Sequence, residues 1–334
     1  MKEGLFYKKI NKNTIQCELC PRLCKLQDKK IGFCHVRQNI KGKLYSMVYG
    51  KAVAVHIDPI EKKPLFHFYP GSNVFSFGTV GCNLRCKHCQ NWEISQIEGG
   101  EYPGQDLSPE KIIDLCIDNN CKSIAATYNE PTIFYEYMLD AFKLAKKNNI
   151  KTTAVSNGFV CKEPMKKLLK YLDAVNVDLK GFTNKFYGKT TTAWLEPVLD
   201  TLKLINKSDT WLEITNLMIP TLNDDPETVE KMVKWIKDNL GKEVPVHFTA
   251  FYPYYELNHL PPTSEKTLEK AHEIAKKHGL KYVYVGNIRT DDKENTYCPK
   301  CNEILIERVG FNILQNNIKK GKCDCGRKIS GKFN

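Results

Sequence analysis

From Phe75 onward the chain alternates short apolar runs with longer amphipathic stretches. The runs at 74–80, 123–128, 151–156, 174–179, 211–219, 244–251 and 281–285 read as strands. Between them, residues 109–119, 133–148, 163–171, 193–206, 226–239 and 264–278 read as helices with one apolar face. Ser108-Pro109-Glu110 and Asp225-Pro226-Glu227 are helix starts, with a capping side chain followed by proline at the first helical position. Gly279 follows the last helix as a C-terminal cap. Regular alternation of strand and helix predicts βα units around a parallel sheet. Six or seven units fall short of eight, so the expected α/β fold is a partial (β/α)6-type TIM barrel over residues 71–290. Functional side chains of such a barrel stand at the C-terminal ends of its strands.

Cysteine placement adds metal chemistry at both ends. Eleven of the 14 cysteines fall into three groups. Cys17, Cys20, Cys24 and Cys34 lie in a cysteine-rich region spanning residues 1–70 and form a complete ligand set for zinc or for an auxiliary iron–sulfur cluster. Zinc is preferred, because nothing nearby in the sequence calls for electron transfer. Cys298, Cys301, Cys323 and Cys325 read as a zinc ribbon in residues 291–334, although the C-x-C spacing of the second pair strains joint chelation by Cys325. Cys116, Cys121 and Cys161 are left over and are expected to pack as small apolar side chains.

The third group is the most informative. Cys82, Cys86 and Cys89 form a C-x3-C-x2-C triplet directly after the run at 74–80. Three thiolates on one loop suit three irons of a cubic cluster and leave the fourth iron open to another ligand. A zinc site, or a cluster completed by a distant cysteine, is the plainer alternative.

The triplet, with His88 just before its last cysteine, resembles the radical S-adenosylmethionine (SAM) superfamily. The resemblance implies a 4Fe–4S cluster on Cys82, Cys86 and Cys89, with SAM bound to the open iron. It implies reductive cleavage of SAM to a 5'-deoxyadenosyl radical that abstracts hydrogen from a substrate, oxygen sensitivity, and an electron donor such as flavodoxin or ferredoxin.

Four strand ends extend the likeness. Thr127-Tyr-Asn-Glu-Pro-Thr132 is similar to the Asn-Glu-Pro turn of pyruvate formate-lyase-activase-like proteins, which implies that Asn129 and Glu130 receive the SAM amino group. Ser156-Asn157-Gly158 is similar to the family's Thr-Asn-Gly position, which implies that Asn157 lies near SAM. Asp178 and Lys180 share strand parity, so both should face the barrel interior, where opposite charges are costly unless paired or bound. They resemble a motif holding the ribose and carboxylate of SAM, with an ion pair closing the barrel as the plainer reading. His247 resembles a histidine near SAM, and a satisfied core histidine is its alternative. The whole layout, including the stretch 61–71, resembles the AmmeMemoRadiSam-system radical SAM proteins. That likeness implies a dioxygenase-like partner and a second small partner protein.

A hydrophobic share of 42% beside 26% charged residues is that of an ordinary globular protein. No apolar run nears a bilayer span and the N-terminus shows no secretory pattern, so a cytoplasmic enzyme without membrane contact is expected. The net charge of +12 admits an RNA partner, but lysines spread over helix faces account for it without one. Two further functions stay open: a glycyl-radical-enzyme activase, and a non-catalytic metal-dependent nucleic-acid-binding protein. Buried polar groups at the strand ends count against the second.

Overall fold

The structure, a computed structural model, describes residues 1–290 and 292–333. Seven strands run parallel in sequence order: Asn73–Gly78, Ser123–Ala126, Lys151–Ser156, Ala174–Asp178, Trp211–Met218, Val246–Ala250 and Val283–Gly286. Each corresponds to one of the seven apolar runs. Most of their residues are buried, as expected of strands covered by helices on one side and barrel filling on the other. The helices Pro109–Asp118, Tyr135–Lys147, Lys162–Leu169, Glu196–Asn206, Pro226–Leu240 and Glu265–Lys277 fill the crossovers.

The local signals act as their chemistry requires. Ser108 and Asp225 accept from the amides of Lys111 and Thr228, and each is followed by proline. Gly279 takes φ +88°, a left-handed conformation open to glycine at a helix end. The helix expected from residue 193 begins at Glu196, where Pro197 fits the first turn. The one expected from residue 133 begins at Tyr135, after a 3-10 turn at Pro131–Phe134 capped by Glu130.

The sheet has two edges rather than closing, so the barrel is partial. One edge is Val283–Gly286. The other is Ala54–Pro59, which runs antiparallel to Asn73–Gly78. Sequence reading leaves that strand with the N-terminal region, because only its pairing, not its composition, joins it to the barrel. Residues 2–46 form two small three-stranded antiparallel sheets. They are pinned to helix Tyr135–Lys147 by the buried pair Arg37–Glu136, whose two contacts are 2.7 and 2.9 Å. Removing one partner of such a pair costs roughly 3–5 kcal/mol.

The C-terminal hairpin, Ile304–Val309 with Asn312–Asn316, packs through Leu305 and Ile306, joined by Ile329 beyond it, on Phe66, Tyr282 and Tyr284. Among the described residues, no helix is long and apolar enough to cross a membrane.

Candidate active site

The triplet loop leaves the end of strand Asn73–Gly78 and is held at every turn. Gly81 has φ +90°, and a Cβ there would sit 2.5 Å from the Cys34 carbonyl oxygen, so only glycine fits. The Arg85 and Lys87 amides donate to the carbonyls of Thr191 and Thr190, each at 3.0 Å. The Arg85 guanidinium donates back to the Cys82 and Leu84 carbonyls at 2.9 Å. The Leu84 amide points at Cys82 Sγ (3.4 Å), and Ser95 Oγ lies 3.1 Å from Cys89 Sγ. Cys82 and Cys86 are buried and Cys89 half-buried.

All three cysteines line one cavity of about 610 Å³ at the C-terminal ends of the strands. His88, Asn129, Glu130, Asn157, Asp178, Lys180 and His247 line it too. Every strand-end residue singled out from the sequence therefore meets the triplet in one space, whose size lies in the range of small-molecule sites.

Their individual bonding differs. The Asn129 amide nitrogen donates to the Gly81 carbonyl (2.8 Å), and its oxygen faces the Thr79 amide (3.3 Å), so it ties the triplet loop to the second parallel strand. Buried Glu130 accepts from the Thr132 amide and hydroxyl, Ser156 Oγ and the Asn157 amide. Asn157 Nδ2 donates to Asn83 Oδ1 (2.9 Å) and lies 4.0 Å from Cys82 Sγ. Asp178 and Lys180 pair at 2.9 Å. His247 Nε2 is 2.7 Å from Glu213 Oε2, which makes this histidine a satisfied buried group at the cavity wall.

Burial governs the electrostatics. It pushes the Cys82 thiol well up and the Cys86 thiol up to about 12, with Lys180 opposing the rise at Cys86. Burial alone would lower Lys180, but the Asp178 carboxylate and the Cys86 and Cys89 sulfurs hold it above its ordinary value. His88 is driven down to about 3 by burial and by nearby Lys180, so its imidazole is neutral. Its Nδ1 is buried without a hydrogen-bond partner.

Sequence reading missed three contributors. Glu213 is fully buried and accepts from the Phe66 and His67 amides, Trp211 Nε1 and His247. Its parity with Thr215 and Leu217 along one strand was the available signal. Lys63 pairs with Asp58 at 2.6 Å, and Tyr128 donates to the same carboxylate at 2.8 Å. Burial would raise Asp58, yet Lys63, Lys62 and Tyr128 hold it well below the usual carboxylate range. Arg308, from the C-terminal hairpin, donates to the carbonyls of Phe66 and Glu294 and to Thr296 Oγ1, and stands 3.9 Å from Glu61.

The remaining cysteine groups differ in spacing. Cys298, Cys301, Cys323 and Cys325 bring all four sulfurs within 4.8 Å of one another, with Cys298–Cys325 and Cys301–Cys323 each at 3.6 Å. A tetrahedral zinc with bonds of ~2.3 Å has sulfur–sulfur edges of about 3.8 Å, so these four suit one ion. The C-x-C spacing does not keep Cys325 out. Cys17, Cys20, Cys24 and Cys34 also converge, lining a single chamber. Among the described residues, however, no three sulfurs of that group or of the triplet close to within 4.8 Å.

For the triplet, this spread is too wide for one ion bound by all three sulfurs and suits a cluster whose irons stand apart. The unpartnered His88 Nδ1 in the same cavity is a polar group left for a bound molecule. The residues present thus fit an iron–sulfur cluster with a ligand beside it.

Comparison with known proteins agrees. The Radical SAM superfamily profile matches residues 77–236. An uncharacterized protein of Methanocaldococcus jannaschii is 46% identical over 332 residues, covering 98% of this chain and 99% of its own. The pyruvate formate-lyase 1-activating enzyme of Escherichia coli K12 is 24% identical over 229 residues, 64% of this chain and 93% of its own. A radical SAM methyltransferase from Sphaerobacter thermophilus superposes with a TM-score of 0.51 at 12% identity, over 65% of this chain and 67% of that one. Streptococcus suis SuiB bound to S-adenosylmethionine gives 0.52 at 13%, over 69% and 53%, and both likenesses are of fold. The chain carries a radical SAM domain, is similar to pyruvate formate-lyase-activating enzymes, and is an enzyme of the radical SAM type.

Proposed function

We propose that the chain binds a 4Fe–4S cluster through Cys82, Cys86 and Cys89 and uses it with SAM to abstract hydrogen from a substrate admitted to the same cavity. One observation carries the reading: three soft ligands and the polar strand-end groups line a single cavity of about 610 Å³. When bound, the cluster would supply the electron for reductive cleavage of SAM.

The chain's own residues prepare that chemistry. Cys82 and Cys86, whose thiols burial holds protonated, would bind iron as thiolates, and Lys180 lies where it favours negative charge on Cys86. Asp178 and Lys180 present an acceptor and a donor for the polar groups of SAM. Glu130 holds the turns carrying Thr132 and Asn157, and Asn129 holds the triplet loop, so both act by positioning as well as by lining the cavity. Neutral His88 offers its free nitrogen without adding charge beside the thiolates. A low-potential one-electron donor of flavodoxin or ferredoxin class completes the system.

The activase version of this reading draws on the E. coli relative's name. It would require a partner protein with an exposed glycine loop, and a glycyl doublet in its electron paramagnetic resonance spectrum after turnover would identify it. A purely nucleic-acid-binding protein has no use for the converging buried groups. The direct test is anaerobic reconstitution followed by reduction with dithionite. Wild type should show 4Fe–4S absorbance and form 5'-deoxyadenosine from SAM, and a Cys86→Ala variant that still did so would remove the proposal.

A further inference from the structure

We propose that Cys17, Cys20, Cys24 and Cys34 hold a second, closed four-iron cluster that takes in electrons for the radical site. The four sulfurs line one chamber, so they share a single occupant. The size of that occupant follows from a comparison within the same chain. The C-terminal four cysteines draw together to the spacing of a single zinc, whereas no three of the N-terminal sulfurs come within 4.8 Å of one another. Cysteine sulfurs on a cubic cluster stand roughly 6 Å apart, because each caps an iron at a corner of the cube.

The chamber is kept open by small and fixed groups. A Cβ on Gly32 would lie 3.9 Å from both Cys24 Sγ and Cys34 Sγ, so any larger side chain at this position would project between two ligands.

Position supplies the role. Zinc is the sequence preference for lack of any nearby need for electrons, but folding brings this site against the triplet loop. The Cys34 carbonyl packs on Gly81, the neighbour of Cys82, and Asn83 of the triplet loop lines the N-terminal chamber. Arg22 Nε donates to the Asn83 carbonyl (2.6 Å), and Arg85 donates to the Phe33 carbonyl (2.5 Å). Phe33 is covered by both guanidiniums, with ring-centroid distances of 3.4 and 4.4 Å. Cys20 and Cys24 are half-buried and Leu23 between them is exposed, which gives a donor protein a place to approach.

The relay rests on the radical reading of the triplet, whereas the presence of the cluster does not. One electron from a low-potential one-electron donor, flavodoxin or dithionite, converts one ferric to one ferrous equivalent at the N-terminal site. The same electron then passes to the triplet's cluster, restoring the N-terminal site, while cysteine–iron bonds and protons stay in place.

A Cys82→Ala/Cys86→Ala/Cys89→Ala variant, reconstituted anaerobically, isolates the N-terminal site. It should retain about four irons and four sulfides per chain, with a reduced paramagnetic signal that SAM leaves unchanged. A variant that is iron-free and carries zinc at both flanking groups overturns the proposal. Should that variant fail to fold, Cys20→Ser in the otherwise intact chain serves. It should lose about half of the iron of wild type, keep the SAM-sensitive signal, and be reduced by flavodoxin at least tenfold more slowly. Unchanged iron overturns the cluster, and an unchanged reduction rate overturns the relay. A wild type lacking any SAM-sensitive signal would instead count against the radical reading, leaving the iron of the triple variant as it was.

Discussion

Lys180 Nζ lies 2.9 Å from the Asp178 carboxylate on the wall of the triplet cavity. The pair is unequally covered, with Lys180 17% and Asp178 33% exposed, so the carboxylate keeps a face toward the cavity. A carboxylate oriented by its own cation is a ready acceptor for hydroxyls or an ammonium.

Asp178→Ala should therefore weaken SAM binding by roughly 10–100-fold, about 1.5–3 kcal/mol for a charge-assisted bond. Iron content should stay near that of wild type, because no cysteine is touched. Equilibrium dialysis with labelled SAM on reconstituted protein checks this, and an unchanged dissociation constant would remove Asp178 from the ligand site.

Much of this site was legible because a parallel barrel sends every strand end to one mouth. Asn129 and Asn157 were found by position after a strand and Asp178 by parity at a strand's end, and all three line the cavity. What bonds each side chain makes was not legible. Glu213 escaped because its partners, Phe66, His67 and His247, lie far from it in the chain and meet only on folding. The contact of Cys34 with Gly81 escaped for the same reason: 47 residues separate them in sequence, and the small sheets of residues 2–46 show no strong periodicity. Metal spacing was half legible, since sequence gives the number of sulfurs but not the distances between them.

Acid should destabilise the protein through His67. Burial pushes this imidazole down to about 4 from an ordinary 6.5, while Ser330 O and Tyr284 Oη lie 2.6 Å from its two nitrogens. Below pH 6.5 the unfolded chain takes up a proton that the folded chain refuses, so stability falls with pH until about 4, where the folded imidazole also titrates. The loss approaches about 3 kcal/mol, from ~1.4 kcal/mol for each pH unit of separation. His67→Gln should be less stable at pH 7 but flatter toward pH 4. Denaturant titrations of both proteins would test it, since acid effects on the metal sites are shared. Parallel curves would clear His67.

Zinc should be found at the C-terminal cysteine group in a ratio of about one per chain, because four sulfurs within 4.8 Å of one another suit one ion. Cys325→Ala should lose that zinc while the triplet still takes up iron. Elemental analysis reads both at once. Retention of full zinc affinity would mean that Cys298, Cys301 and Cys323 bind it without Cys325.

Arg308 couples the hairpin to the barrel and gives the sharpest stability test. It is 4% exposed, donates to the Phe66 and Glu294 carbonyls and to Thr296 Oγ1, and its guanidinium lies 4.3 Å from the centroid of the Phe66 ring. Glu61, 1% exposed, has this cation 3.9 Å away, and its Oε1 accepts from the Gly71 amide. Burial raises the Glu61 carboxyl while Arg308 opposes the rise, so removing the cation leaves a buried acid poorly compensated. Arg308→Met should cost about 3–5 kcal/mol. Glu61→Gln added to it should recover part of that loss, because the uncompensated charge goes with it. A double-mutant cycle by denaturant unfolding measures the coupling, expected at about 1–3 kcal/mol for residues in one buried network. Strict additivity would show that the hairpin is held by its apolar contacts with Tyr282 and Tyr284 and that the Arg308–Glu61 pair contributes nothing to the joint.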